Sequence, residues 1–392
     1  MKKLTAVVLI LLLSGGLAAC QLGSTPTLAP VLPSATPTIT NTALPPTATL
    51  TPTAAPLPPL NSPNGPPLSF IKMFTLKDGW GLISNALLVT HDGGVNWFSV
   101  PLPQGQVDAN TEAYFADMNN LYLLVPAVDG NGGVLYHSLN GGGTWESFPA
   151  PFLRGRLIMK FGFGFFLETS SNTPDSMSVA SYFSGDKGAT WEKTFPTANS
   201  TPIPDAGLKT GFSFISSDRG WIGVAGQDQK IQLYRSDDSG NSWTAQQIPE
   251  PGNISNLVTS AQPALFFAEN YKDGILPVEF VTKDTGDKSL VFYSTNDAGL
   301  TWLPGASVIE GTAYTFLDAK NGWAWGKGGM YLTNDGGQTW QLRPVAFGRS
   351  EHAICLSFVD VHTGWMLTAN EKNRVRIYGS IDGGSTWMAV NP

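Results

Sequence analysis

The chain is poor in three residue types that usually carry chemistry or staple a small fold. It has two cysteines and four histidines among 392 residues, and its first arginine is Arg154. Cys20 ends an apolar leader, so the folded part has no disulfide framework and must rest on packing and strand hydrogen bonds. Cys355, in "HAICLSFVD" beside Leu356 and Phe358, is expected to be a buried free thiol rather than a nucleophile. His91, His137, His352 and His362 have no metal-ligand spacing, and no Walker-type or dinucleotide glycine motif occurs, so neither a metal nor a cofactor is expected. No segment sustains a 3.6-residue apolar period, which excludes a helical domain. The formal net charge of −7 leaves no concentrated positive field for nucleic acid or anionic headgroups.

Charge is missing altogether between Lys3 and Lys72. Residues 1–20 join Lys2 and Lys3 to the apolar run "LTAVVLILLL" and then "LAAC", which resembles a bacterial lipoprotein signal. That resemblance implies Cys20 as the acylated mature N-terminus and a folded part held at the extracytoplasmic face of a membrane, on the cell surface or in the periplasm. Residues 21–66 hold 10 threonines and 12 prolines. Such a polymer cannot bury a core and favours extended segments, so it reads as a disordered stalk reaching roughly 140 Å at full extension.

What is present in residues 67–392 is a repeat. The pattern hydroxyl-x-Asp-x-Gly-x-(Thr/Ser)-Trp is most regular in "SIDGGSTW", "TNDGGQTW", "TNDAGLTW" and "SDDSGNSW". It pairs Asp92 with Trp97, Asn140 with Trp145, Asp186 with Trp191, Asp238 with Trp243, Asp297 with Trp302, Asp335 with Trp340 and Asp382 with Trp387. Successive tryptophans are 48, 46, 52, 59, 38 and 47 residues apart, the period of a propeller blade of four short strands. A second pattern, as in "FISSDRGW", "FLDAKNGW" and "FVDVHTGW", opens the turn between the first two strands of a repeat. The expected fold is all-β: a seven-bladed β-propeller with four-stranded antiparallel blades and an Asp-containing hairpin in each. Blades are expected at about 67–105, 106–152, 153–200, 207–252, 255–308, 310–346 and 352–392. The ring is expected to close by packing of blade seven on blade one.

The recurring Asp has a structural explanation. In a tight turn it accepts hydrogen bonds from backbone N–H groups two residues on, Gly supplies backbone angles that other residues resist, and Trp covers the turn. Asn140 can replace Asp because an amide oxygen accepts the same bonds.

These motifs resemble the Asp-box, or BNR-repeat, β-propellers, and the added "F-x-D-x-x-x-G-W" half is similar to the photosystem II assembly factor (Ycf48-like) family. The resemblance implies a non-catalytic binding or assembly platform, so no catalytic residue and no enzyme activity is expected. The stalk departs from that family's simpler tether. Two enzyme groups share the Asp box. Sialidases need an early arginine, which the first two blades lack, and xyloglucan-cleaving glycosidases place two carboxylates between two propellers. Asp117, Glu168, Asp218, Glu269, Asp318 and Asp360 lie near blade strands or turns, where they could serve a single-propeller hydrolase or stand as solvated turn carboxylates, and nothing in the sequence brings two of them to a catalytic separation.

Candidate binding residues are the cations that the fold does not require. Arg154, Arg156 and Lys160 alternate onto one side of "FLRGRLIMKF", Arg374 and Arg376 do the same in "NRVRIY", and Arg343 and Arg349 flank the last connection. They suit carboxylates of a partner, or serve as edge charges against aggregation. The aromatic run Phe161 to Phe166 reads as a buried strand, with a stacking surface as the alternative. The expectation is therefore a monomeric, membrane-anchored platform for membrane or surface proteins. The alternative is a sialidase-like or other glycoside hydrolase, or a lectin, acting on extracellular glycans.

Overall fold

The computed structural model describes residues 68–390 apart from 103–106, 109–110, 128–129, 174, 199, 227–229, 253–255, 268–270 and 346–350. Cys20, the Thr/Pro-rich segment, Glu269 and Arg349 lie outside the described residues. Among the described residues there are 29 strands, and no helix is long and apolar enough to cross a membrane.

The strands form repeated antiparallel sheets. Five sheets have four strands each, in chain order, over 70–100, 112–150, 155–195, 313–344 and 352–389. The remaining sheet spans 208–309 and has nine strands. It resolves into two arrays joined where Ala225 and Gly226 pair with Ser260 and Thr259. Its second array begins on a divided strand, Leu257–Ala261 and Leu265–Phe266, both pairing Gly274–Thr282. Pro263 falls in the gap, where a residue without an N–H cannot serve the ladder. There are thus seven consecutive arrays, and the last is completed by its own Met388–Ala389 strand.

The core lies between arrays. Seven apolar clusters each draw on two arrays, such as Trp80 and Leu87 with Phe115, Leu123 and Trp145, or Trp323 and Met330 with Leu356 and Phe358. The first and last arrays share a cluster of the same kind, in which Leu68, Ile71 and Trp97 meet Trp365, Leu367 and Ile377. There Ser357 Oγ also accepts the Met73 N–H at 2.9 Å, and Cys355, half-buried, directs its Sγ at the Ile71 carbonyl at 3.4 Å. The two halves of the "F-x-D-x-x-x-G-W" pattern meet across these joints. Trp323 stacks on Phe358 at 3.8 Å and Trp221 on Phe266 at 4.7 Å, each ring in the next array. Phe165 takes the tryptophan's place and stacks on Phe214 at 3.8 Å. A fully buried side chain of this size contributes about 1.5–3 kcal/mol.

The Asp-containing turns lock the joints. Asp335 Oδ1 accepts the Thr339 N–H at 2.9 Å and the Thr333 hydroxyl at 2.7 Å, and Oδ2 accepts the Thr339 hydroxyl at 2.6 Å. Thr333 Oγ1 in turn accepts the Gly337 N–H at 2.9 Å. Asp92, Asp186, Asp238, Asp297 and Asp382 accept the same backbone bond from four residues on. Asn140 Oδ1 accepts the Thr144 N–H and the Ser138 hydroxyl, while its Nδ2 donates to Thr144 Oγ1. The expected span of two residues is corrected here. Two successive residues at positive φ, Gly336 at 71° and Gly337 at 83°, lengthen the turn, so the N–H that reaches the carboxylate is the fourth. The two-residue span belongs to the other turn, where Asp117, Asp318 and Asp360 accept from Asn119, Lys320 and His362.

The second positive-φ residue is Gly in all seven turns, and space requires it as much as the angle. A Cβ on Gly299 would lie 2.4 Å from Trp221, and one on Gly188 would lie 2.5 Å from Leu135, each in the preceding array. Trp97, Trp191, Trp243 and Trp387 cap their turns by donating to the glycine carbonyl three residues back. Trp145, Trp302 and Trp340 lack that partner among the described residues.

Candidate functional site

The turn from strand Gly155–Lys160 into strand Phe163–Thr173 is Phe161-Gly162. Phe161 sits at φ +59° and is 41% exposed. A bulky residue at positive φ is strained unless its surroundings hold it there. Here the holding contact comes from Tyr271, itself at φ +52°, whose ring meets Phe161 edge-on at 5.1 Å. Lys160 Nζ lies 5.1 Å from the centre of the Phe161 ring and 5.2 Å from that of Tyr271. An ammonium over two ring faces is a cation–π contact.

These residues form one wall of a cavity of about 400 Å³ between the second and third arrays. The opposite wall is Tyr114, Asn120, Tyr122 and His137, with Lys187 from the third array's Asp turn at the rim. His137 lies flat on Tyr122 at 4.0 Å and places Nε2 3.1 Å from Asn120 Oδ1. Lys187 also holds a positive φ, of +60°. That angle belongs to the Asp turn and is shared by Ser239 and Ala298, so the strain particular to this cavity is that of Phe161 and Tyr271. Backbone strain of this kind concentrates where a binding surface must be preset.

The electrostatics follow from enclosure. Burial lowers the Lys160 ammonium below its ordinary pKa. Burial also lowers His137, against the pull of Glu146 and with some help from Lys187. The Tyr122 phenol is pushed up to about 12 by burial, with Tyr114 and Glu146 adding to it. At neutral pH the cavity thus offers neutral phenols, a neutral imidazole and two amines. No aspartate or glutamate lines it among the described residues.

The other expected binding residues are placed elsewhere. Strand Gly155–Lys160 carries Arg156 near its start and Lys160 at its end, alternating with the buried Leu157 and Met159. Arg156 Nη1 bonds Glu112 Oε2 at 3.2 Å, and Arg154 precedes the strand, exposed. Arg376 Nη1 bonds Glu351 Oε1 at 3.1 Å, and that carboxylate also accepts the Tyr378 hydroxyl at 3.0 Å. Arg343 is exposed on Gln341–Pro344 and reaches Gln341; Arg374 is exposed in the turn before Val375. Of the candidate cations among the described residues, only Lys160 lines the cavity. Within Phe161–Phe166, Phe165 and Phe166 are buried while Phe161 is exposed. Sequence reasoning missed Tyr114, Tyr122, His137, Lys187 and Tyr271 as a group. One signal was there: "KFGF" puts a phenylalanine at the tip of a two-residue hairpin, a place that usually goes to Gly, Asn or Asp.

No family model matches the chain. A curated xyloglucanase from a Paenibacillus species is 26% identical over 266 residues, 57% of this chain and 25% of that enzyme. The chain spans about a quarter of the length of this curated relative. Among solved structures, YCF48 bound to a D1 peptide is 16% identical with a TM-score of 0.49, covering 79% of this chain and 92% of that one. A PL25 ulvan lyase is 12% identical with a TM-score of 0.49, covering 85% and 94%. Likeness is spread over these and over GH74 and GH93 glycosidases, so it does not select a Ycf48-like identity. The expectation that the chain is not an enzyme is corrected by these findings: hydrolases and a lyase stand among the proteins it is similar to, and its architecture does not mark it as non-catalytic.

Proposed function

We propose that this chain is an extracytoplasmic, lipid-anchored protein that recognises polysaccharide, and that the cavity bounded by Phe161, Tyr271 and Tyr122 holds the sugar. The carrying observation is the convergence of strained aromatic and basic residues on that one cavity. A pyranose presents an apolar C–H face and a rim of hydroxyls. Aromatic rings beside a few fixed polar groups match both, and sites of this composition are the usual small-molecule pockets. The sequence likeness to a xyloglucanase supports a polysaccharide in place of a protein partner. The arginine patch that would have served a protein partner is partly occupied, since Arg156 and Arg376 carry Glu112 and Glu351.

In this reading the seven arrays are the blades of a closed propeller and the Asp turns are its structural Asp boxes. The cluster shared by the first and last arrays supports closure. Cys20 carries the lipid and residues 21–66 serve as the stalk. The test is affinity electrophoresis of the full chain, kept in mild detergent, through gels holding a panel of plant, algal and bacterial polysaccharides, with the polymer length read afterwards. Retardation by at least one polymer is expected. Shortening of that polymer would make the site catalytic, and free migration through every gel would overturn the reading.

A further inference from the structure

The polysaccharide cavity contains more positive charge than a neutral sugar needs. We infer that its ligand is an anionic glycan, one whose sugar residues carry a carboxylate or a sulfate ester. This rests on the polysaccharide reading above and adds the substrate class to it.

Three observations carry the inference. First, Lys160 and Lys187 reach the cavity from two different turns, and among the described residues no carboxylate lines it or pairs with either amine. The whole chain is acidic, at −7, so two unpaired cations at one cavity are not a sample of a generally basic surface. Second, Lys187 is the one charged residue at the first positive-φ position of the seven Asp turns, where Gly93, Gly141, Gly336 and Gly383 stand in four and Ser239 and Ala298 in two. A lysine there bears backbone strain of about 1–2 kcal/mol that glycine would avoid, and it places an ammonium at the rim. Third, Lys160 is drawn under two aromatic rings. Lys160 is half-buried, an ammonium partly withdrawn from water without an anion is disfavoured, and a bound carboxylate or sulfate would relieve that cost.

The geometry also divides the work. Phe161 and Tyr271 take the sugar's apolar face, Lys160 and Lys187 take the anion, and the Tyr122 hydroxyl and Asn120 Nδ2, whose Oδ1 is held by His137, take its hydroxyls. Charge-assisted bonds of this kind are about twice as strong as neutral ones, so losing one should weaken binding by roughly ten- to a hundredfold.

The experiment uses the full chain with three probes: polygalacturonate, a sulfated galactan and neutral xyloglucan. Dissociation constants are measured at low and high salt for the wild type, Lys160→Gln, Lys187→Gln and Lys187→Arg. Lys187 is exposed, so its variants keep the fold, and a thermal melt checks Lys160→Gln. Expected is tighter binding to an anionic polymer than to xyloglucan, weakened by salt, reduced about tenfold or more in both glutamine variants and restored in Lys187→Arg. Preference for carboxylate or for sulfate identifies the anion, and either supports the inference. Equal or tighter binding of xyloglucan, or glutamine variants that bind like the wild type, overturns the inference and leaves the polysaccharide reading standing. Failure of all three probes, and of the wider panel, overturns both.

Discussion

Trp365 donates its indole N–H to the carbonyl of Gly93 at 2.7 Å across 272 positions of sequence. Trp323 makes the same bond to Gly383 at 2.9 Å. The first of these joins the last array to the first, and the second joins the sixth to the seventh. If the ends of the fold meet in a joint like the others, Trp365→Phe and Trp323→Phe should destabilise alike, by about 1–3 kcal/mol each from the lost donor and the smaller ring. Urea denaturation of both variants checks this. A neutral Trp365→Phe beside a damaging Trp323→Phe would mean an open array.

Asn140 shows what an Asp turn tolerates. Asp335→Asn should keep the Thr339 N–H and Thr333 hydroxyl bonds at Oδ1 and reverse the one at Oδ2, as Asn140 does with Thr144, for a cost of about 1 kcal/mol or less. Asp335→Ala leaves the turn's donors without an acceptor and should cost about 1–3 kcal/mol. Equal effects in chemical denaturation would deny the turn its structural role.

The same carboxylates set the pH response. Burial disfavours their charge, but the hydroxyl and N–H bonds outweigh it. Asp92, Asp186, Asp238, Asp297, Asp335 and Asp382 are all held below the ordinary range. A depressed folded pKa means stability that is fully present above the unfolded value, about 3.9, and lost as pH falls through the folded one. Glu112, raised by burial against the pull of Arg156 and the Leu157 N–H, works in the opposite direction, one group against six. His137, held below its ordinary value by burial, adds a smaller loss that begins below about 6.5, so the thermal midpoint should decline slightly from pH 7 to about 5 and drop steeply below about 4. A midpoint unchanged down to pH 2.5 would contradict this.

Arg376 covers a carboxylate that is 8% exposed. Arg376→Ala leaves the Glu351 carboxyl enclosed, with the Tyr378 and Thr368 hydroxyls as its side-chain donors among the described residues. Glu351→Gln keeps one acceptor oxygen for the Tyr378 and Thr368 hydroxyls, removes the charge, and turns its amide nitrogen toward Arg376, which is exposed and can be served by water. The alanine variant should be the less stable of the two by about 1–2 kcal/mol, read from their denaturation midpoints. The reverse order would show that the pair contributes little.

The repeat, the strands and the Asp turns were legible because each is local: hydroxyl, Asp, Gly and Trp act within eight residues of chain. The joints were not. Phe358 and Trp365 read as one motif, yet Phe358 stacks on Trp323 of the preceding array and Trp365 bonds Gly93 of the first. The division of Leu257–Ala261 from Leu265–Phe266 turned on Pro263, which the repeat pattern alone does not weigh. The cavity was least legible. Lys160 stood out for its charge, but grouping it with Arg154 and Arg156 followed alternation along one strand. What gives it a site is Tyr271, brought from more than a hundred residues away by the packing of arrays, and His137, placed on the facing wall by its stack on Tyr122.

The most direct test of the account is the affinity of Phe161→Ala for whichever polysaccharide retards the wild-type chain. Phe161 is exposed, so its loss should leave the melting temperature close to that of the wild type while binding weakens roughly tenfold or more through the lost stacking face. Wild-type affinity in a folded Phe161→Ala chain would contradict the account and move the sugar site away from this cavity.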